Sequence, residues 1–433
     1  TLTVKPGATL KISYIGYQTQ EVKAARTMKI ILKEDSELLQ EVVVVGYGTQ
    51  KKANLTGAVA TVDVNKTLDS RPIADIGRGL QGAVAGVNIT IPTGEVGSDP
   101  LIKIRGQVGS ISGNNTPLIL LDNVEIPSIQ MVNPNDVQSI SVLKDAASSS
   151  IYGSKAAFGV ILITTKSGAQ SDKFEISYSN NFSWQDPAKK IEIGGIEALQ
   201  YTLDAQTNRR EPMPAGGFWR ISPESLEKAI EWQNLYGGKV KWNDPVVYGR
   251  DWFYDGKDKY GYRLYDGAKA MIKNWTPTMT HNLSVNGKSG KTSYNIGLGY
   301  LDQSGMSKTA KKDDFKRYNA SVSVTSEINK YITVRASSIY SDRNKRYPGI
   351  GNTTADPWLY LYRWSPLMPM GVTENGNPLK EPTYEMAAAN TDNLQNKYYN
   401  INLGFTLNLT KNWDVKFDYT YDRQTCLLYT SDA

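Results

Sequence analysis

Cysteine and histidine are almost missing: the 433-residue chain has one of each, Cys426 and His281. A lone cysteine excludes a disulfide within the chain, and one of each excludes a Cys/His metal site. Nucleophile–histidine catalysis is left with His281, which lies in an alternating, strand-like stretch and reads as a surface or lumen side chain. No pair of carboxylates stands in a recognisable acid–base setting. The chain therefore reads as a non-enzyme, with no metal and no cofactor. A long apolar run is lacking too: nowhere do about 18 apolar residues follow one another, so no transmembrane helix is expected. That leaves a β-barrel open, because barrel strands alternate and their hydropathy averages out. Charge of one sign is not concentrated. The net charge of +6 is modest for this length, and Lys and Arg are scattered, so nucleic acid is not an expected partner. Ser289-Gly290-Lys291-Thr292 is not a phosphate loop, since Val285 stands where that motif needs glycine; it reads as a hairpin turn.

What is present is aromatic and small: 26 Tyr, 9 Trp and 37 Gly. The most structured stretch runs from Asn133 to Gly168. Ser139–Leu143 alternates and is rich in β-branched residues. Asp145 is a good N-cap, Ala146–Tyr152 predicts about two helical turns, and Gly153 supplies the stop. Val160-Ile161-Leu162-Ile163 is apolar on both sides and predicts a strand buried on both faces. Further upstream, Val42-Val43-Val44-Val45 stands between charged flanks. Left unpaired, such a strand recruits any free sheet edge. It is either held for a partner or finishes an N-terminal sheet.

The pieces Asn133-Pro134-Asn135-Asp136, Val142-Leu143-Lys144-Asp145-Ala146, Ile151-Tyr152-Gly153, Ala156-Ala157 and Ile161 to Lys166, in this order and spacing, resemble the end of the plug domain of TonB-dependent outer-membrane transporters. The resemblance is to the SusC/RagA-like branch of Bacteroidetes. Leu80-Gln81-Gly82-Ala83-Val84-Ala85-Gly86-Val87 matches its LQG–AG element and is expected to be a small-residue helix ended by Gly86. Ile102 to Gly106 matches its I-RG strand, and Pro117 to Val124 its PL–DG–V strand. Asn123 replaces the usual glycine; asparagine is the next residue most tolerant of positive φ, so the turn is expected to survive. Gly97-Ser98-Asp99-Pro100 replaces the family's Pro-Gly. The plug motif is thus carried by Arg105, Gly106, Asp122, Lys144, Asp145, Tyr152 and Gly153. Arg105 and Asp122 read as structural ion-pair or plug–wall residues rather than catalytic ones. By the same resemblance Glu41, Val42, Val43, Val44, Val45, Gly46, Tyr47 and Gly48 form the TonB-box region, adding as a strand to TonB.

From Lys173 onward the period becomes two. Seven strands are expected: Phe174–Trp184, Met279–Lys288, Lys291–Asp302, Arg317–Glu327, Tyr331–Arg343, Lys397–Leu409 and Trp413–Arg423. Their connections alternate long and short, as in barrels with outside loops and periplasmic turns. Trp184, Trp275, Tyr300, Tyr331 and Trp413 fall near strand ends, as aromatic girdles do. Ile401, Leu403, Phe405, Leu407 and Leu409 are expected to face lipid. Such a strand of about ten residues, tilted, spans the ~25 Å apolar band of an outer-membrane barrel.

The expected fold class is an α+β plug domain inside a truncated antiparallel transmembrane β-barrel, preceded by the end of a carboxypeptidase-regulatory-like β-sandwich. The divisions are 1–38 (partial sandwich, with strands around Leu10–Tyr17 and Met28–Leu32), 39–52 (TonB-box region and linker), 53–168 (plug), 169–425 (about seven barrel strands) and 426–433. The last stretch breaks the alternation and reads as a non-native tail; the absence of a signal peptide reads as a fragment or processed form. The family implies active import of oligosaccharides or oligopeptides in the outer membrane. The implied partners are TonB with its inner-membrane energising complex, outer-membrane lipid, the cargo, and a SusD-like surface lipoprotein that lids the barrel. A siderophore or cobalamin receptor and a non-transporting surface glycan-binding protein are the alternatives. Trp219, Trp232, Trp242, Trp252, Tyr254 and Tyr260 in the first long connection, and Trp358, Tyr360, Tyr362 and Trp364 in the third, are candidate contacts for the lid ahead of a sugar face.

Overall fold

The computed structural model describes residues 9–12, 20–23, 30, 42–45, 48–51, 59–62, 64, 75–91, 95–106, 115–166, 168, 174–187, 191–209, 219–241, 243–349, 366–410 and 413–431. They divide into two compact units, residues 1–90, 101–129 and 136–166 forming one, and 91–100, 130–135 and 167–433 the other.

The first unit is built on a five-stranded sheet. Its chain order is β1 (Thr9–Ile12), β2 (Gln20–Lys23), β3 (Val42–Val45), β4 (Gly48–Lys51), β5 (Val59–Val62), α1 (Ile76–Leu80), β6 (Val87–Thr90), β7 (Leu101–Ile104), β8 (Leu118–Leu121), β9 (Val124–Glu125), β10 (Val137–Leu143), α2 (Ala146–Ser149) and β11 (Val160–Thr165). The sheet runs β5-β10-β11-β8-β9, and β1-β2, β3-β4 and β6-β7 are separate two-stranded ladders. β11 lies second from neither edge: it pairs antiparallel with β10 and parallel with β8. That position explains its composition, since both faces are covered and Val160, Ile161, Leu162 and Ile163 are all buried. Leu118, Leu120, Leu143, Ala156, Val160 and Leu162 pack as one cluster, with Val59 and Tyr152 against it.

The valines of β3 pair with β4, Val42 opposite Lys51 and Val45 opposite Gly48, and with no other described strand. Two local expectations are corrected. The helix near Leu80 ends at Leu80 rather than at Gly86, because Gly82 and Gly86 adopt φ of 74° and 75° and turn the chain. The helix after Asp145 is one turn, then a 3₁₀ segment, Ser150–Ala156, kinked at Gly153 (φ 67°, ψ −153°). Of the N-terminal strands, β1 and β2 form a ladder, whereas Met28–Leu32 lies outside the described residues except Ile30.

The second unit contains a seven-stranded antiparallel meander. Its elements are β12 (Glu175–Gln185), α3 (Ile196–Arg209), β13 (Trp219–Arg220), α4 (Pro223–Tyr236), β14 (Trp252–Tyr254), β15 (Lys259–Gly261), α5 (Gly267–Met271), β16 (Thr276–Ser289), β17 (Thr292–Ser304), β18 (Asp314–Glu327), β19 (Ile332–Pro348), α6 (Pro382–Ala388), β20 (Thr391–Thr410) and β21 (Trp413–Ser431). The sheet order is β12-β16-β17-β18-β19-β20-β21. The strands are longer than expected: β20 has 20 residues and β21 reaches Ser431, keeping register with β20 through Cys426 opposite Asn396. Ser289 pairs with Thr292 across Gly290, so that stretch is a hairpin turn. None of the described helices is long and apolar enough to cross a membrane.

Sidedness in this sheet is the reverse of a water-soluble one. One face carries Ile176, Leu283, Leu298, Val322, Ile401, Leu403, Phe405 and Leu409, all exposed, Leu298 by 48% and Leu403 by 50%. The other face carries Thr278, Gln303, Arg317, Asn319, Ser341, Arg343 and Asn400, all buried, Gln303 to 2% and Arg317 to 3%. His281 sits on the apolar face, its Nδ1 2.7 Å from the Tyr178 hydroxyl, beside the Phe182 and Tyr300 rings. Trp184, Trp275, Tyr331 and Trp413 are exposed near strand ends.

Ile161, fully buried in β11, tests the first core. An Ile161→Asp carboxylate has no route to water there and is expected to cost several kcal/mol, a large share of a domain's ~5–15 kcal/mol. Hydrogen exchange read by mass spectrometry should show β8, β10 and β11 losing protection while β16–β19 keep theirs. Unchanged protection of β11 would contradict its central place.

Candidate functional site

The plug-motif residues of the first unit are structural. β8 and β9 are joined by the two-residue turn Asp122-Asn123, with φ of 48° and 70°, the double left-handed conformation of a tight hairpin. Asn123 thus does what glycine does elsewhere. The Asp122 carboxylate accepts from Thr165 N (2.9 Å) and Thr165 Oγ1 (2.6 Å), tying the turn to the end of β11. Burial pushes the Asp122 pKa up, and the two Thr165 bonds oppose that shift. Asp122 is therefore bonded to a threonine rather than to a cation. Arg105, with φ of 54°, and Gly106 are exposed in the turn after β7, where the Arg105 N–H donates to Gly86 O at 2.6 Å. Lys144 Nζ donates to Ala85 O at 2.6 Å. Asp145 caps α2 by accepting from Ser148 N at 2.8 Å, as its place in the sequence predicts.

In the second unit the buried polar face of the meander holds two short segments, residues 95–100 and 130–135. Lys345 Nζ meets Glu95 Oε2 at 2.6 Å, and Arg343 lies 3.6 Å from Asp99. Arg317 donates to Gln130 O at 3.0 Å and Asn319 to Met131 O at 2.8 Å. Asn133 donates to Asn282 Oδ1 at 2.9 Å, and Asn135 to Ser179 Oγ at 3.2 Å. Sequence reading found Arg317 and Arg343 only as strand ends. Their function lies in a contact between residues some 190 to 250 positions apart, which no local pattern announces.

The long connections are not loose. The described residues of 186–275, 305–313 and 349–390 fold together at one end of the meander. β13, β15 and β14 make a small sheet in that order. Val246, Tyr265, Ala270 and Met271 from the first connection share a core with Met370 and Met386 from the third, and Leu199, Ile221, Leu226 and Ala229 share a second with Leu367. Thr309 from the middle connection donates to Thr383 O at 2.9 Å. Within the first connection the keystone is Asp251, which is fully buried. Its carboxylate accepts from Trp232 Nε1 (2.8 Å), Val247 N (2.9 Å) and Arg250 Nε and Nη2 (2.9 and 2.7 Å), with Arg263 Nη1 at 3.5 Å. Arg263, also buried, donates to Lys241 O and Asp244 O and stacks over the Tyr265 ring. Burial pushes the Asp251 pKa up, but the bonds from Arg250, Val247 and Trp232 outweigh it and hold the carboxyl below its ordinary range.

This core sorts the aromatic candidates. Trp232 is buried and bonded to Asp251, so it is a core residue and not a contact for a ligand or lid; its indole stands where only the tertiary fold could put it. Trp252 is half-buried against the Val246 core. Tyr254 is exposed, its hydroxyl donating to Gly256 O at 2.7 Å, and exposed Tyr248 stacks on Phe253 beside it. Sequence reading passed over Tyr248 and Phe253, which interleave with charged residues and share no period. On β13 and β15, Trp219 stands opposite Lys259 and Arg220 opposite Tyr260. Trp242, Trp358, Tyr360, Tyr362 and Trp364 lie outside the described residues.

Asp251→Asn leaves two arginines facing a neutral amide. A loss of about 3 kcal/mol is expected in the folded connections, read as faster proteolytic cleavage between residues 186 and 275 with the strands intact. Because the folded pKa of Asp251 is depressed, its contribution is whole above the ordinary carboxylate range and fades as pH falls through the depressed value. Cleavage of the unsubstituted protein should therefore rise below about pH 4, and the variant should lack that step. Equal cleavage of both proteins at neutral pH would contradict the keystone role.

Comparison with known proteins agrees with this geometry. Residues 51–160 match the model of the TonB-dependent Receptor Plug Domain. The chain is 30% identical over 332 residues to the TonB-dependent receptor SusC of Bacteroides thetaiotaomicron, covering 75% of this chain and 28% of that protein. It is 29% identical over 408 residues to the TonB-dependent receptor P26 of Formosa agariphila, covering 92% of this chain and 37% of that one. The chain thus spans about a third of the length of these relatives. Among solved structures it matches the RagAB peptide importer in its open-open state with a TM-score of 0.62 and 26% identity, over 89% of this chain and 43% of the other. These relatives are TonB-dependent receptors of the outer membrane. With a plug-domain match over residues 51–160, a meander that is apolar on its exposed face, and relatives of this kind, the chain is similar to the SusC/RagA-like TonB-dependent receptors of the outer membrane.

Proposed function

We propose that the chain supplies the plug and part of the wall of an energised outer-membrane importer of oligosaccharides or oligopeptides. One observation carries the reading: the meander exposes its apolar face and buries a polar face that holds residues 95–100 and 130–135. An apolar face of that extent is stable only against lipid. On this reading the seven strands are an arc of a plugged barrel of about 22 strands, and residues 1–38 are the end of a carboxypeptidase-regulatory-like sandwich. The solved relative named a peptide importer supports a peptide among the cargoes. The co-folded long connections are the face that meets a SusD-like lipoprotein, with Tyr254 and Trp252 on it.

The energising step is assigned to Val42–Val45. As a two-stranded hairpin with β4, the strand keeps one edge that no described strand occupies, which is what strand addition to TonB requires. Deleting Val42–Val45 from the intact receptor should abolish uptake of labelled oligopeptide or oligosaccharide while leaving its binding at the cell surface. Undiminished uptake would leave β3 a structural strand only. Loss of surface binding as well would point to misfolding of the hairpin.

A further inference from the structure

We propose that residues 95–100 and 130–135 are stationary parts of the wall, holding their bonds to the meander throughout a transport cycle. The proposal rests on the import reading and adds to it which residues do not move. The docking surface is one contiguous patch. On β18, Phe315, Arg317 and Asn319 follow at two-residue spacing on one face; on β19, Lys345 and Arg343 stand opposite Phe315 and Arg317. Asn282 and Asn319 flank Gly299 in one row.

Four features make this a fixed joint rather than a sliding contact. Two of the bonds, from Arg317 and Asn319, go to the main-chain carbonyls of Gln130 and Met131, so they hold backbone, not only side chains. The groups are buried: Gln130, Met131, Val132 and Asn133 are each exposed by 5% or less, and breaking such bonds without water leaves unpaired polar groups. The charges are matched in pairs, Glu95 with Lys345 and Asp99 with Arg343. Finally, the fit is tight. A Cβ on Gly97, whose φ is 71°, would lie 2.3 Å from the Phe315 ring, and one on Gly299 would lie 2.5 Å from Asn133 Nδ2. The two segments are also tied to each other, Gln130 Nε2 donating to Ser98 O at 2.6 Å.

The test uses the intact receptor carrying Cys426→Ser. One cysteine pair, Asn133→Cys with Asn282→Cys, staples segment 130–135 to the wall; a second, Glu95→Cys with Lys345→Cys, staples segment 95–100. A third, Ala60→Cys with Val142→Cys, which are partners in the β5–β10 ladder, staples the five-stranded sheet. Each pair is assayed reduced first, so that a folding defect shows before any bridge forms, and bridges are then closed by oxidation. Uptake should be unchanged on closing either wall staple. It should be lost on closing the sheet staple and return on reduction. Loss of uptake on closing a wall staple, with cargo binding kept, would overturn the proposal. If all three closed staples transport normally, the two segments are stationary as proposed, and it is the energised remodelling of the import reading that fails.

Discussion

The structure depends on a single constraint: in an antiparallel ladder successive side chains point to opposite faces, so seven paired strands present two unlike surfaces at once. Here the apolar surface, with Leu298, Leu403 and Phe405, is exposed, and the polar one, with Gln303, Arg317 and Ser341, is buried. In water that arrangement is unstable, since it exposes what should be buried and desolvates what should be wet. In a bilayer the same ladder satisfies every backbone group between strands and leaves lipid against the apolar side. The buried polar side is then free to grip other segments through hydrogen bonds and ion pairs.

Grip of that kind divides the labour within the chain. A strand such as β11, apolar on both faces, holds the first unit by burial together with its ladders to β8 and β10. The wall residues Arg317, Asn319, Arg343 and Lys345 hold segments 95–100 and 130–135 by directional bonds to carbonyls and carboxylates. The first long connection uses a third device, a buried carboxylate surrounded by Trp232, Arg250 and Arg263, which draws together separate parts of that one connection. Each device fails differently, by cavity, by unpaired polar group or by uncompensated charge.

Strand existence was legible from period alone, but strand length was not. β20 begins at Thr391, six residues before the alternation becomes clean at Lys397, and β17 and β18 run on to Ser304 and back to Asp314. The physical reason is visible on the apolar face: Lys316 meets Asp302 at 3.1 Å, and Arg346 meets Asp314 at 2.6 Å. Beyond the reach of lipid a strand no longer needs apolar residues on that side, so the ladder continues while the signal stops. The same holds for Gln81–Gly86, where small residues suggested a helix and positive-φ glycines made turns.

The sequence by itself determined the order of the seven long strands, the buried β11, the Asp145 cap, the positive-φ tolerance at Asn123 and the face of β20 that bears Ile401 to Leu409, because each follows from a residue's own stereochemistry or from a period of two. Only the tertiary structure decided that the valines of β3 pair with β4, that Trp232 is interior while Tyr254 is exposed, that the first and third long connections share two apolar cores, and that Arg317 and Arg343 reach residues 130 and 99. Those outcomes rest on contacts between positions far apart in the chain, and the energy of such a contact depends on burial and partner, neither of which is written in the local sequence.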